Sequence, residues 1–239
     1  MSDEDRKSQR LYARLRPRTQ FPRTPEELFG ARTHVESLRN ILVAATECFS
    51  DRGYHGSSTR DIADRANMSP AAVYTHFSTK EQVLFTIIRI VGEWITEELV
   101  STARSFPDPQ ERLAALVKLH VVCHAIMRRP LRVATTEFRF LNAEYRQSID
   151  DIGKEIESLF CDTLVEGCKA KCFDIADPRI MCTSILALCS SVARWFSDTG
   201  ALTPDALGEQ YTHIVFRMVG ADANMAAASK VRAAGSRQR

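Results

Sequence analysis

Nine side chains between Thr59 and Lys80 have the types and spacing for contact with a nucleic acid: Thr59, Arg60, Ser69, Ala71, Ala72, Tyr74, Thr75, His76 and Lys80. Hydroxyl, imidazole, guanidinium and ammonium groups donate to phosphate oxygens, and Lys80 adds its charge where a helix start leaves backbone amides free. Ala71 and Ala72 carry no side-chain donor. Their small size lets a helix sit deep in a groove and touch thymine methyl groups, so part of the reading would pass through DNA shape. The alternative for Tyr74 is a packed interior aromatic, and Phe77 reads as core.

A second set lies further along the chain. His120, His124, Glu137, Arg139, Asn142, Tyr145, Arg146 and Arg194 are polar groups able to line a small-molecule cavity, with Phe138, Phe140, Trp195 and Phe196 as apolar walls. Each has an ordinary alternative as a surface or core residue. His120, Cys123 and His124 also share metal-ligand spacing on one helix, yet no fourth ligand accompanies them, so neither a metal nor another cofactor is expected. Cys168 and Cys172 stand one helical turn apart, where burial is a simpler account than redox sensing. The sequence has no phosphate-binding glycine loop, nucleophile elbow or H-E-x-x-H pair, which argues against an enzyme.

The groups near Thr59 need a scaffold, and hydrophobic periodicity supplies helices. Val35, Leu38, Ile41, Leu42, Ala45 and Phe49 recur at three- and four-residue steps, marking an amphipathic helix that Gly53 ends. Ser57, Ser58 and Thr59 then offer N-cap oxygens to a short helix carrying Ile62, Ala63 and Ala66 on one face. Asn67-Met68-Ser69-Pro70 reads as a tight turn in which Asn67 takes the left-handed conformation, Ser69 caps and Pro70 opens a helix to about Phe77. The separation of the two short helices is that of a helix-turn-helix, with Ala63 small and Val73 apolar where they cross. Ser78 or Thr79 starts a long helix through Val83, Leu84, Ile87, Ile88, Val91 and Ile95. Beyond Pro107 the segments 109–128, 131–140, 143–171, 177–198 and 203–220 are helical in period, and nothing reads as a strand.

The 239 residues carry a net charge of +2, and the basic groups gather at the ends. Residues 1–33 mix arginines with Pro17, Pro22 and Pro25 and are expected to form a flexible basic arm, Arg14, Arg16 and Arg18 being suited to phosphate or minor-groove contacts. Residues 221–239, rich in Ala, Ser, Gly and Arg, read as a disordered tail. Seven cysteines make no C-x-x-C pair and no signal peptide or membrane-spanning run is apparent. Reduced thiols, a cytoplasmic location and no membrane partner are the expectation. The chain therefore divides into the arm 1–33, a DNA-binding domain 34–80, a larger helical domain 81–220, and the tail.

The string from Thr59 to Glu81, ending in Tyr74, His76-Phe77 and Lys80, resembles the DNA-binding signature of the TetR family. Asn67 departs from it, since glycine is common there. The resemblance implies an all-α fold: an N-terminal three-helix DNA-binding domain with a helix-turn-helix, plus a larger helical ligand-binding and dimerisation domain. It further implies a homodimer joined through the last two helices, near 177–198 and 203–220, and a pocket enclosed by the helices between. Glu137 to Leu141, with Arg194-Trp195-Phe196, resembles the ligand lobe of family members controlling lipid or sterol breakdown. Arginines near an opening would suit the phosphates of an acyl-CoA thioester. The expected function is then a repressor that binds a palindromic operator and is released by a small-molecule effector. The alternatives are a repressor of an efflux pump responding to hydrophobic drugs, and an architectural DNA-binding protein with no effector.

Overall fold

A computed structural model describes residues 21–221, and all elements within them are helical. In chain order these are α1 (Pro25–Thr33), α2 (Glu36–Arg52), α3 (Thr59–Arg65), α4 (Pro70–Tyr74), α5 (Lys80–Arg104), α6 (Pro109–Ile126), α7 (Arg128–Glu137), a 3₁₀ turn (Phe138–Phe140), α8 (Ala143–Lys169), α9 (Pro178–Ser190), α10 (Val192–Trp195) and α11 (Pro204–Met218). No helix among the described residues is long and apolar enough to cross a membrane.

Local chemistry sets most of the boundaries. Ser58, Ser69, Thr79, Asp108, Asn142, Asp177 and Thr203 each accept a backbone N–H from the first turn of the helix they precede. Proline occupies the first turn of α1, α4, α6, α9 and α11, where its missing N–H costs nothing. Asp61 completes a reciprocal capping box with Ser58.

The core runs around α6. Every residue from Leu113 to Ala125 is buried, because α5, α7, α8, α9 and α11 all pack against this helix. A helix enclosed on all sides needs apolar residues on every face, and its two histidines and one lysine must find internal partners. Lys118 pairs with Asp205 at 3.5 Å and Glu209 at 3.1 Å on α11. The two helices come so close that a Cβ on Gly208 would lie 2.9 Å from the Lys118 side chain and 3.1 Å from its carbonyl oxygen.

The flexible arm expected over 1–33 is corrected in its last third. Thr24 caps α1 through the Glu27 N–H, Pro25 opens it, and His34 ends it in the left-handed region at φ 53°. Phe21, Leu28 and Phe29 are buried, so α1 belongs to the fold. A burst of three prolines hid this start signal, although Thr24-Pro25-Glu26-Glu27 is a capped helix opening in its own right. Arg14, Arg16 and Arg18 lie outside the described residues, as does the tail beyond Ala221. The segment expected at 177–198 is two helices, since Ser191 interrupts it and Phe196 is already extended. The segment 131–140 begins earlier, at Arg128, with Pro130 in the first turn.

Candidate nucleic-acid interface and regulatory lobe

The helix-turn-helix forms from α3 and α4. Asn67 sits at φ 53°, and the N–H groups of Asn67 and Met68 donate to the carbonyls of Asp64 (3.2 Å) and Ala63 (2.9 Å), closing α3 with a left-handed cap. Ala63 and Val73 are buried at the crossing of the two helices, and Phe77 is core. That packing turns the other side of α4 outward. Ala71, Tyr74 and Thr75 are exposed, Tyr74 by 54%, and Ala72 is half-buried.

The nine residues singled out in the sequence do not all keep their donors available. Arg60 is exposed on the first turn of α3, and Ser69 uses its oxygen to cap α4 through the Ala72 N–H at 3.1 Å. Thr75 donates to the Ala72 carbonyl at 2.7 Å. His76 is tied by Nε2 to the Ser37 hydroxyl on α2 at 2.8 Å. The Thr59 and Tyr74 hydroxyls meet at 3.1 Å. Lys80 turns inward: its ammonium donates to the carbonyls of Tyr54 at 2.8 Å and Ser57 at 2.7 Å, and lies 4.2 Å from the Tyr54 ring centre. Burial lowers its pKa from the usual lysine value. With two of three donors used, Lys80 is first the anchor of the loop that launches α3.

Thr59, Tyr74 and Lys80 line a groove of about 460 Å³ together with His55, Ser58, Asp61 and Thr79. Ser58 and Thr79 are the N-caps of α3 and α5, so two helix starts open on the same groove. Asp61 is the one acidic group there among the described residues. Hydrogen bonds from the Ser58 side chain and backbone hold its carboxyl down to about 2, with Arg52 adding to the effect. Sequence reasoning saw hydroxyls at 57–59 and 78–79 as possible caps but not that both caps would share one groove, since that depends on the turn of the chain at Asn67.

The residues proposed for the effector fall into three groups. His120 and His124 are buried on α6, ring centres 4.3 Å apart. His120 Nε2 pairs with the Ser190 hydroxyl at 3.3 Å and its ring meets Phe160 edge-on, while Nδ1 is buried with no hydrogen-bond partner among the described residues. His124 Nδ1 pairs with the His120 carbonyl at 2.8 Å. Burial depresses both imidazoles, His124 to about 4.

The second group forms the seam between the lobes. Glu137, 8% exposed, accepts the Tyr54 N–H at 2.9 Å and the Thr136 hydroxyl at 2.8 Å. Phe140 stacks on Tyr54 at 5.6 Å and meets His55 at 4.3 Å, with Arg139 lying over the Phe140 ring. Phe138 is half-buried against the core. Asn142 caps α8, its N–H donating to Glu81, and Tyr145 stacks on Phe85 at 4.1 Å. Arg146 is exposed nearby on α8. Arg129 and Arg132, which sequence reasoning passed over, complete the seam: Arg129 pairs with Glu47 at 3.3 Å and Arg132 donates to the Ser50 carbonyl and hydroxyl. The third group is Arg194 and Trp195, both exposed, with Trp195 stacked 6.5 Å from Tyr211 while Phe196 is buried. The structure thus does not gather these twelve residues around one cavity.

Comparison with known proteins decides what this arrangement belongs to. Residues 41–87 match the family model for bacterial regulatory proteins of the tetR family, and residues 107–219 match the tetracyclin repressor-like C-terminal domain. A solved tetR-family regulatory protein from Rhodococcus RHA1 is 32% identical, covers 77% of this chain and 97% of its own, and superposes with a TM-score of 0.73. The chain belongs to the TetR family. It is a TetR-type transcriptional regulator, with the helix-turn-helix in its N-terminal domain and a helical C-terminal lobe. The HTH-type transcriptional repressor KstR2 of Mycobacterium tuberculosis is 27% identical over 182 residues, covering 73% of this chain and 88% of the repressor. AibR, solved in complex with isovaleryl coenzyme A and operator DNA, is 26% identical, covers 76% of this TetR chain and 98% of its own, and gives a TM-score of 0.70.

Proposed function

We propose that the protein is a repressor that binds a palindromic operator in double-stranded DNA as a homodimer and leaves it when a small-molecule effector occupies the C-terminal lobe. The observation that carries the reading is the outward face of α4. Ala71, Tyr74 and Thr75 are exposed while Val73 and Phe77 anchor the helix from behind. Small and hydroxylated groups on a rigidly backed helix suit insertion into a major groove, and Arg60 beside them suits a phosphate.

The homodimer is supported by apolar side chains left outside. Of the large hydrophobic residues exposed in the described chain, Ile180 on α9, Trp195, Leu202 and Ile214 on α11 fall in its last third. Such a concentration is costly on a solvated monomer and useful in a self-complementary interface. Two reading heads would then stand about 34–36 Å apart, or a multiple of it, on one face of the duplex.

The effector is an acyl-CoA thioester or a related lipid or sterol metabolite. AibR was solved with isovaleryl coenzyme A, and KstR2 was solved under the description of a ketosteroid transcriptional regulator, which supports this class. Within the lobe, the Nδ1 of His120, without a hydrogen-bond partner among the described residues, is the group available to a buried polar end. Arg139 and Arg146, exposed near the seam, suit CoA phosphates. Fluorescence anisotropy with labelled DNA from upstream of its own gene tests the reading. Saturable binding by a dimer, reversed by acyl-CoA thioesters, is expected; a monomer indifferent to that DNA removes the proposal.

A further inference from the structure

Helix α1 and the residues it grips on α5 lie outside both family matches, which cover 41–87 and 107–219. The grip has three parts. Leu28 and Phe29 are buried where α1 packs along α2 of the reading head. Phe21, just before α1, meets Trp94 of α5 with ring centres 5.1 Å apart. Arg32, in its last turn, makes a two-pronged contact with Glu97 of α5, Nη1 to Oε1 at 2.9 Å and Nη2 to Oε2 at 2.6 Å. Glu93 and Glu98 add negative charge around the same guanidinium. A planar fork matched to a carboxylate fixes direction as well as distance.

We propose that α1 is a strap that sets the angle of the reading head against the regulatory lobe, with the Arg32–Glu97 pair as its lock and both residues acting as positioning residues. The geometry gives the strap leverage. Glu97 stands about 25 Å along α5 from its start at Lys80, from the helical rise per residue. A swing of the reading head by about 5° around that start would shift the strap end by about 2 Å, enough to break hydrogen bonds of ordinary length. The swing and the intact fork are therefore incompatible. In a dimer whose lobes are fixed to each other, that angle decides how far apart the recognition helices stand. The strap consequently narrows the half-site spacings the protein accepts.

This inference rests on the operator-binding dimer proposed above, and the test separates the two. Duplexes selected by the wild-type protein from a random pool are compared with versions lengthened at their centre by about two base pairs, a change that misplaces one reading head. The wild type is expected to lose at least about tenfold in affinity on the lengthened duplex. R32E and E97Q should shrink that loss by about threefold or more, and the exchange R32E/E97R should restore it. R32K, which keeps the charge but not the fork, should behave like E97Q. Should R32E fail to fold by thermal melting, E97Q and R32K carry the comparison. A spacing penalty unchanged in E97Q and R32K, a uniform loss on both duplexes, or no restoration in the exchange overturns the strap. A wild type that selects no duplex instead overturns the underlying reading.

Discussion

The carboxylate of Glu137, at the end of α7, accepts the backbone N–H of Tyr54 at 2.9 Å, joining the regulatory lobe to the loop that launches α3. Lys80 binds that loop from the other side, through the Tyr54 and Ser57 carbonyls. The start of the helix-turn-helix is thus held between a residue of the C-terminal lobe and the family's lysine.

Removing the carboxylate leaves the Tyr54 amide without its partner in a half-buried seam. Glu137→Ala should cost roughly 1–3 kcal/mol of stability, the usual cost of an unsatisfied buried donor. Glu137→Gln keeps an acceptor and should lose less. Hydrogen exchange at the Tyr54 amide checks the cause, since it should accelerate in E137A well beyond any global change. Equal protection in both proteins would dissociate Glu137 from the loop.

The order and type of helices were legible because capped starts and apolar steps recur along the chain, and Asn67 was readable as a left-handed turn residue because few others suit it. The seam was not. Glu137 and Tyr54 are 83 positions apart, and nothing in the local pattern of either shows that they meet. The same holds for Lys80, whose motif gave its position but not its inward direction, and for His76, held by Ser37 on a helix that precedes it by two. Helix α1 failed for another reason: three prolines and many arginines looked like a loop, while the two residues that bury it, Leu28 and Phe29, span too short a stretch to show a period.

On the DNA side, Arg60 and Tyr74 should separate by salt dependence. Arg60→Ala removes one cation near the phosphates and should reduce the slope of log affinity against log salt by about 1. Tyr74→Ala should weaken binding by about tenfold with little change in slope, because a neutral hydroxyl and ring release no counterion. Y74F keeps the ring and loses the hydroxyl that meets Thr59, so its position between wild type and Y74A apportions the two. Anisotropy titrations across a salt series measure all three, and an R60A slope equal to wild type would place Arg60 away from the backbone.

The exposed apolar residues of α9 and α11 give a prediction about assembly. Ile180 and Ile214 are 68% and 45% exposed, so a charge at either should leave the fold intact while opposing self-association. The double variant I180E/I214E is expected to run as a folded monomer in light scattering and to lose operator affinity by at least about a hundredfold, as the second half-site no longer adds to binding. A stable dimer in that variant would move the interface elsewhere.

The buried histidines of α6 make stability depend on pH in a definite direction. Both imidazoles have lowered pKa values in the fold, His124 about 4, because burial disfavours the charged ring. Above the usual histidine value near 6.5, folded and unfolded chains both hold them neutral, and their contribution is fully present. Below it the unfolded chain takes up protons that the folded chain refuses, so stability falls as the pH drops below about 6.5, the share of His124 being lost between there and about 4. His124→Leu should flatten that slope by close to one proton, and binding of an acyl-CoA thioester through His120 should change the remaining slope. Denaturant unfolding between those pH values supplies the measurement. If H124L keeps the wild-type slope, the proton uptake belongs to other groups, and the pair on α6 is already charged or exposed in solution.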